Sequence, residues 1–171
     1  LSVIHAGGKV IFVDVMKENL SIDLSDFKNK INSNSVGVIP VHIAGIISPY
    51  WDEFMSVCQK NDLFVIEDAA HAHGASIDDR MAGSLGDAGA FSFYPTKVIN
   101  TAEGGMITTN DKDVYEKSLI LREHGKTDHS VNVHSELGYN WRFSELHALL
   151  GIQQMHKVDD ILKDRRKQQQ Q

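Results

Sequence analysis

A three-layer α/β fold, with a mostly parallel sheet and helices on both faces, is predicted by two features of this 171-residue sequence. Short, continuous apolar runs rich in β-branched residues recur at residues 10–13, 36–41 and 63–66. Between them, apolar residues fall at helical spacing: Leu24, Phe27 and Ile31, then Trp51, Phe54, Met55 and Cys58. Buried strands joined through helices imply parallel pairing with right-handed crossovers. Two further strands are expected at residues 88–93 and 105–108. Asp111 offers an N-cap for a helix running towards Arg122, and Ser144 offers one for a long helix beginning near Glu145. Irregular, histidine-containing sequence fills residues 125–138, and residues 168–171 read as a fraying helix end. No internal repeat or flexible linker divides the chain, so a single unit is expected.

Composition narrows the function classes. A hydrophobic content of 42% is ample for a core, and a formal net charge of −6 provides no positive field for a nucleic-acid backbone or an anionic bilayer. Neither nucleic acid nor membrane is an expected partner. The single cysteine, Cys58, cannot form an intramolecular disulfide, and its helical setting predicts a small buried thiol in a reducing, cytoplasmic compartment. No stretch has the apolar length of a membrane span, and the first residues lack the pattern of a signal peptide. The chain begins at Leu1 and closes in a charged run ending at Gln171, so it reads as the central part of a longer protein.

The chemistry concentrates near the third apolar run. Glu67 and Asp68 stand at its carboxyl end, where open α/β sheets bind ligands, although either carboxylate also suits the capping of a turn. Downstream come the glycines at 83, 86 and 89, then Phe91-Ser92-Phe93-Tyr94-Pro95-Thr96-Lys97 and Glu103-Gly104-Gly105. These glycines precede a strand, whereas a dinucleotide-binding loop follows one and opens a helix, so their expected task is a tight turn. His71 and His73 form a His-x-His pair without further ligands at a familiar spacing, and no metal site is expected.

The segment from Phe91 to Lys97, with the acidic strand end before it and Glu103-Gly104-Gly105 after it, resembles the active-site signature of the DegT/DnrJ/EryC1/StrS sugar aminotransferases. The resemblance continues through Arg122, His124-Gly125 and Gly138-Tyr139-Asn140-Trp141-Arg142-Phe143-Ser144-Glu145, and covers nearly the whole chain. It implies the large domain of a fold-type I pyridoxal-phosphate-dependent transferase for residues 1–171, in incomplete form. Residues 143–171 would then lead towards a C-terminal small domain.

Pyridoxal phosphate chemistry requires an amine that bonds to the cofactor's aldehyde, an acid beside the pyridine nitrogen, and donors for the phosphate. Lysine suits the first task, because desolvation and neighbouring positive charge leave a fraction of such amines unprotonated. By resemblance Lys97 is that lysine and also the catalytic proton carrier, Asp68 partners the pyridine nitrogen, and His71 lies near the phenolic oxygen. Ser92 binds the phosphate, and Asn140 reaches the phosphate of a neighbouring subunit, which implies a homodimer with shared sites. Family members commonly carry glycine where this chain has Ala102.

The implied reaction moves an amino group, from glutamate, to a keto group of a nucleotide-linked deoxysugar. Related dehydratases carry histidine in place of the lysine, so Lys97 favours transamination. The alternative is a non-catalytic cofactor-binding fragment, or a regulatory or interaction module of the same family.

Overall fold

The structure is a computed structural model and describes residues 1–128 and 130–169. In chain order it contains α1 (Ser2–His5), α2 (Leu24–Lys30), β1 (Gly37–Val38), α3 (Trp51–Lys60), β2 (Phe64–Asp68), β3 (Ser76–Ile77) and β4 (Arg80–Met81). There follow β5 (Ala88–Ser92), β6 (Gly105–Thr109), α4 (Lys112–Arg122), α5 (Glu145–Met155) and α6 (Val158–Gln169). The main sheet has the order β1-β2-β5-β6. Its first three strands are parallel, and β6 runs antiparallel to β5 with Ala88 opposite Thr109 and Ser92 opposite Gly105. The α/β class is therefore as predicted, with one antiparallel strand at the margin of a parallel sheet.

Capping signals in the sequence translate directly into helix starts. Asp23 accepts the Ser25 and Asp26 amides, Asp111 accepts those of Asp113 and Val114, and Ser144 accepts that of His147. Each satisfies donors that the first turn of a helix leaves unpaired.

The core forms where α3 crosses β2. Trp51, Phe54 and Cys58 lie on one face of α3 and meet Val65, Ala69 and Ala72, with Phe27 of α2 closing one end. Ring centroids of Phe27 and Phe54 are 5.2 Å apart, and those of Trp51 and Phe54 are 5.1 Å apart. Strand β2 alternates in burial, so Val65 and Glu67 point into this core while Phe64, on the opposite face, is 49% exposed.

Burial has a chemical consequence at Cys58. Desolvation, helped by the negative charge of Asp87, pushes its thiol up to about 11. Iodoacetamide at neutral pH is expected to leave Cys58 unmodified in the native chain and to alkylate it on denaturation, as read by intact mass. Rapid native labelling would contradict this packing.

Four features depart from the sequence expectations. Residues 10–13, expected as a strand, join no ladder; the nearest pairing is a bridge between Val15 and Ile22. A groove of about 370 Å³, lined by Val10, Ile11 and Phe12 on one side and Gly37, Val38 and Ile39 on the other, separates this run from β1. An apolar run becomes a strand only where another backbone offers it donors and acceptors, and among the described residues none pairs with this one.

The run at 36–41 forms a shorter strand than expected, because Pro40 supplies no amide. Backbone bonding nevertheless continues, with Asp68 N–H donating to Pro40 at 2.9 Å and His42 N–H donating to Asp68 at 3.0 Å. The β3–β4 hairpin was not expected. Its turn residues Asp78 and Asp79 both adopt positive φ, 48° and 61°, the conformation a two-residue hairpin needs. The long final helix divides at His156 and Lys157, after which Asp159 and Asp160 occupy the first turn of α6, where negative charge complements the helix dipole. Gln170 and Gln171 of the expected fraying end lie outside the described residues.

Candidate active site

The carboxyl ends of β2 and β5 carry the site. These strands pair in parallel with Asp68 opposite Ala90, so Asp68 and Ser92 emerge at the same end of adjacent strands. Asp68 is half-buried, and its Oδ1 accepts the Ala70 amide at 3.1 Å, which turns the chain sharply after the strand. Ser92 Oγ accepts the Tyr94 amide at 3.3 Å, and Lys97 N–H donates to Tyr94 C=O at 2.9 Å. A compact turn thus brings Lys97, half-buried, back towards the strand ends.

The loop that bears Lys97 is anchored at its far side. Thr101 N–H donates to Phe93 C=O and Phe93 N–H donates to Gly104 C=O, each at 2.9 Å. Thr101 Oγ1 donates to Glu103 C=O at 2.7 Å, and both Ile99 and Thr101 are buried. Ala102 sits in this anchor with φ +67°, a left-handed conformation that costs a residue with a Cβ about 1–2 kcal/mol. Ala102→Gly is expected to stabilise the protein by roughly 0.5–1 kcal/mol once the entropy of glycine is offset, read as a higher urea midpoint. An unchanged or lower midpoint would show that the loop tolerates the side chain without strain.

Glu67 supports the site from beneath and is fully buried. Its Oε1 accepts the Leu85 and Gly86 amides at 2.7 and 2.8 Å, and its Oε2 accepts the Gly83 amide at 2.7 Å and lies 2.9 Å from His42 Nε2. Although burial pushes its pKa up, the His42 contact and the three amides together hold it below the ordinary glutamate value. The acidic pair is thereby divided: Glu67 clamps the turn before β5, and Asp68 is left at the open strand end.

The glycines before and within β5 serve packing, as expected of a turn, though Gly89 lies inside the strand. Gly83 has φ +81°, and a Cβ on Gly89 would lie 2.5 Å from the Gly83 Cα. That approach leaves no room for a side chain at Gly89, and the left-handed conformation favours glycine at 83.

Two histidines follow β2. His71 is exposed and its Nδ1 lies 3.4 Å from the Ala44 amide, a long and weak contact. His73 is buried between Phe91 and Phe93, with ring centroids 5.4 and 5.8 Å away. Burial lowers its pKa, and the charges of Lys97 and His71 lower it further. Among the described residues no group of three or more histidine, cysteine or acidic side chains is arranged to hold a metal ion.

Asn140 stands apart from this group. It is exposed, its Oδ1 accepts from Arg142 Nε at 2.9 Å, and Arg142 Nη1 pairs with Glu123 at 3.3 Å. Two residues beyond Trp141, Phe143 packs near Phe93 at 6.4 Å, so the segment bearing Asn140 passes close to the end of β5. The structure therefore brings Asp68, Ser92 and Lys97 to one end of the sheet with His71 and His73 beside them, and leaves Asn140 on the surface. A carboxylate and a hydroxyl at the ends of two neighbouring parallel strands, with a primary amine on the loop that follows, are groups that could hold pyridoxal phosphate.

Sequence reasoning passed over His42 and the clamp on Glu67. The available signal was the period of two along β2, which points Glu67 into the core with Val65 and so demands buried partners for it.

Comparison with known proteins identifies the family and the fold. The sequence profile of the DegT/DnrJ/EryC1/StrS aminotransferase family matches residues 1–171. A Campylobacter jejuni protein named UDP-4-amino-4,6-dideoxy-N-acetyl-beta-L-altrosamine transaminase is 37% identical over 94% of this chain and 43% of its own length. The solved aminotransferase of Psychrobacter cryohalolentis superposes with a TM-score of 0.85 at 36% identity, covering 93% of this chain and 43% of that one. The PLP form of a putative sugar aminotransferase from Streptococcus pneumoniae gives a TM-score of 0.88 at 25% identity, covering 96% and 47%. The chain thus spans less than half the length of these relatives. Among the described residues no helix is long and apolar enough to cross a membrane.

Proposed function

Since this chain belongs to the DegT/DnrJ/EryC1/StrS aminotransferase family, we propose that it forms the cofactor-holding part of a pyridoxal-phosphate-dependent aminotransferase. The reaction is the transfer of an amino group, from glutamate, to a keto group of a nucleotide-linked deoxysugar. The observation that carries the reading is that Asp68 and Ser92 end the adjacent strands β2 and β5 and that Lys97 lies on the turn that follows Ser92. The nucleotide-linked sugar is supported by the named activity of the Campylobacter jejuni relative, and the cofactor by the PLP form of the Streptococcus pneumoniae structure.

Bound here, pyridoxal phosphate would supply an electron sink for bond changes at the amino-bearing carbon. Lys97 would hold the cofactor through its amine and is the group suited to carry a proton at the reacting carbons. With the cofactor bound, Asp68 would face the pyridine nitrogen, His71 would offer a hydrogen bond to the phenolic oxygen, and Ser92 Oγ would donate to the phosphate. Asn140, exposed on the surface, serves the phosphate site of a second subunit in a homodimer. On this reading residues 1–171 are part of the large domain, residues 143–171 lead to a small domain, and the enzyme works in the cytoplasm.

The test is mass spectrometry after borohydride reduction with added pyridoxal phosphate. A phosphopyridoxyl adduct on Lys97, lost in Lys97→Ala, is the expected result for the complete protein. No adduct in the complete protein would refute the cofactor role and leave an interaction module as the surviving account.

A further inference from the structure

His73 is 7% exposed, and neither ring nitrogen has a hydrogen-bond partner among the described residues. A buried imidazole with both nitrogens unsatisfied forfeits about 1–3 kcal/mol, so the position calls for a physical reason. Simple packing does not supply it, because phenylalanine would fill the space between Phe91 and Phe93 without that cost. Those two rings flank Ser92, so the imidazole lies directly against the end of β5.

Three groups act on the ring electrostatically. The Ser92 backbone favours its protonated form, the sign expected of a carbonyl acceptor, while Lys97 and His71 oppose that form. Burial is the strongest influence and keeps the ring neutral, with one N–H to donate and one nitrogen to accept. The Phe91 and Phe93 rings hold the imidazole against the strand on either side of Ser92, and no hydrogen bond from either ring nitrogen is formed among the described residues. Ser92 belongs to the turn that would close on an anionic phosphate.

We propose that His73 is a positioning residue for Ser92: its N–H completes a hydrogen bond to the Ser92 carbonyl as the phosphate is held, fixing the hydroxyl in its donating orientation. His73 touches neither cofactor nor substrate and acts through Ser92 alone. The inference rests on the cofactor assignment above and adds a residue to it. Its effect is specific, since a group that orients the phosphate donor matters for pyridoxal phosphate and not for pyridoxal, which lacks the phosphate.

The experiment compares the affinities of these two compounds, by absorbance titration of the complete protein, in wild type, His73→Phe, His73→Asn and His73→Gln. His73→Phe keeps the aromatic packing, and the amide variants return an N–H near one or the other ring nitrogen. The expected result is that His73→Phe loses about tenfold of the preference for pyridoxal phosphate over pyridoxal, with partial recovery in one amide variant. Equal weakening of both compounds, or an unchanged preference, overturns the proposal. Ser92→Ala gives a second route, independent of how well His73→Phe folds. His73→Asn and His73→Gln should alter the preference in wild type but not in the Ser92→Ala background, and additive effects would again overturn it. A wild-type protein that binds neither compound defeats the cofactor assignment and this inference together, whereas a wild type that binds with an indifferent His73 defeats this inference only.

Discussion

In the complete protein Lys97→Ala is expected to retain pyridoxal phosphate weakly and to lose amino transfer by at least ~10²–10⁴-fold, the range attributable to a positioned proton carrier. The two outcomes separate because different residues produce them. Asp68 and Ser92 stand on the strands themselves, Asp68 fixed by the ladder between β2 and β5 and Ser92 by the ladder between β5 and β6. Lys97 stands five residues past Ser92, on a turn secured by its own amide to Tyr94 and by Thr101 and Phe93 further on. Truncating the side chain leaves every one of those backbone bonds in place. Non-covalent affinity should therefore survive while the covalent link and the proton carrier both disappear. Single-turnover absorbance with glutamate distinguishes the cases: persistent half-reaction at near wild-type rate would remove Lys97 from the chemistry, and loss of all binding would mean that the amine dominates affinity.

The parts of this fold that could be read from sequence are those fixed by local rules. Asp111 and Ser144 announced their helices because a side-chain acceptor before a helical pattern has one dominant use. Residues 88–92 and 105–109 were legible because their runs pair with each other inside the chain. Residues 10–13 carry an equally apolar pattern and yet form no strand, since pairing depends on a neighbouring backbone that composition does not reveal. The site divides along the same line. Asp68 was singled out by its place at the end of an apolar run, and Ser92 and Lys97 through the resemblance carried by residues 91–97. The partners of Glu67 were not, because His42 is 25 residues away and the Gly83 amide 16 residues away. The solitude of His73 was equally hidden, being a property of its surroundings and not of its spacing from His71.

Glu67→Ala is expected to destabilise the protein by about 3–5 kcal/mol, a large share of the ~5–15 kcal/mol that holds a typical domain together. The carboxylate satisfies three amides and faces His42 in a place without solvent. Removing it strands the amides of Gly83, Leu85 and Gly86 and takes away their only tie to β2 among the bonds described for them. Glu67→Gln should cost less, roughly 1–3 kcal/mol, because its oxygen still accepts while its amide group opposes one of the remaining donors. The two variants also differ from wild type in acid. Since the folded pKa of Glu67 lies below its unfolded value, the ionised clamp contributes fully above the ordinary glutamate range near ~4.3. Its contribution falls away as pH drops from there towards the lower folded value. Urea unfolding of wild type should weaken across that window, and Glu67→Gln, which cannot titrate there, should show a flatter dependence. Equal slopes with pH would mean that other carboxylates govern acid stability, while a wild-type midpoint in Glu67→Ala would show that the turn before β5 holds without its clamp.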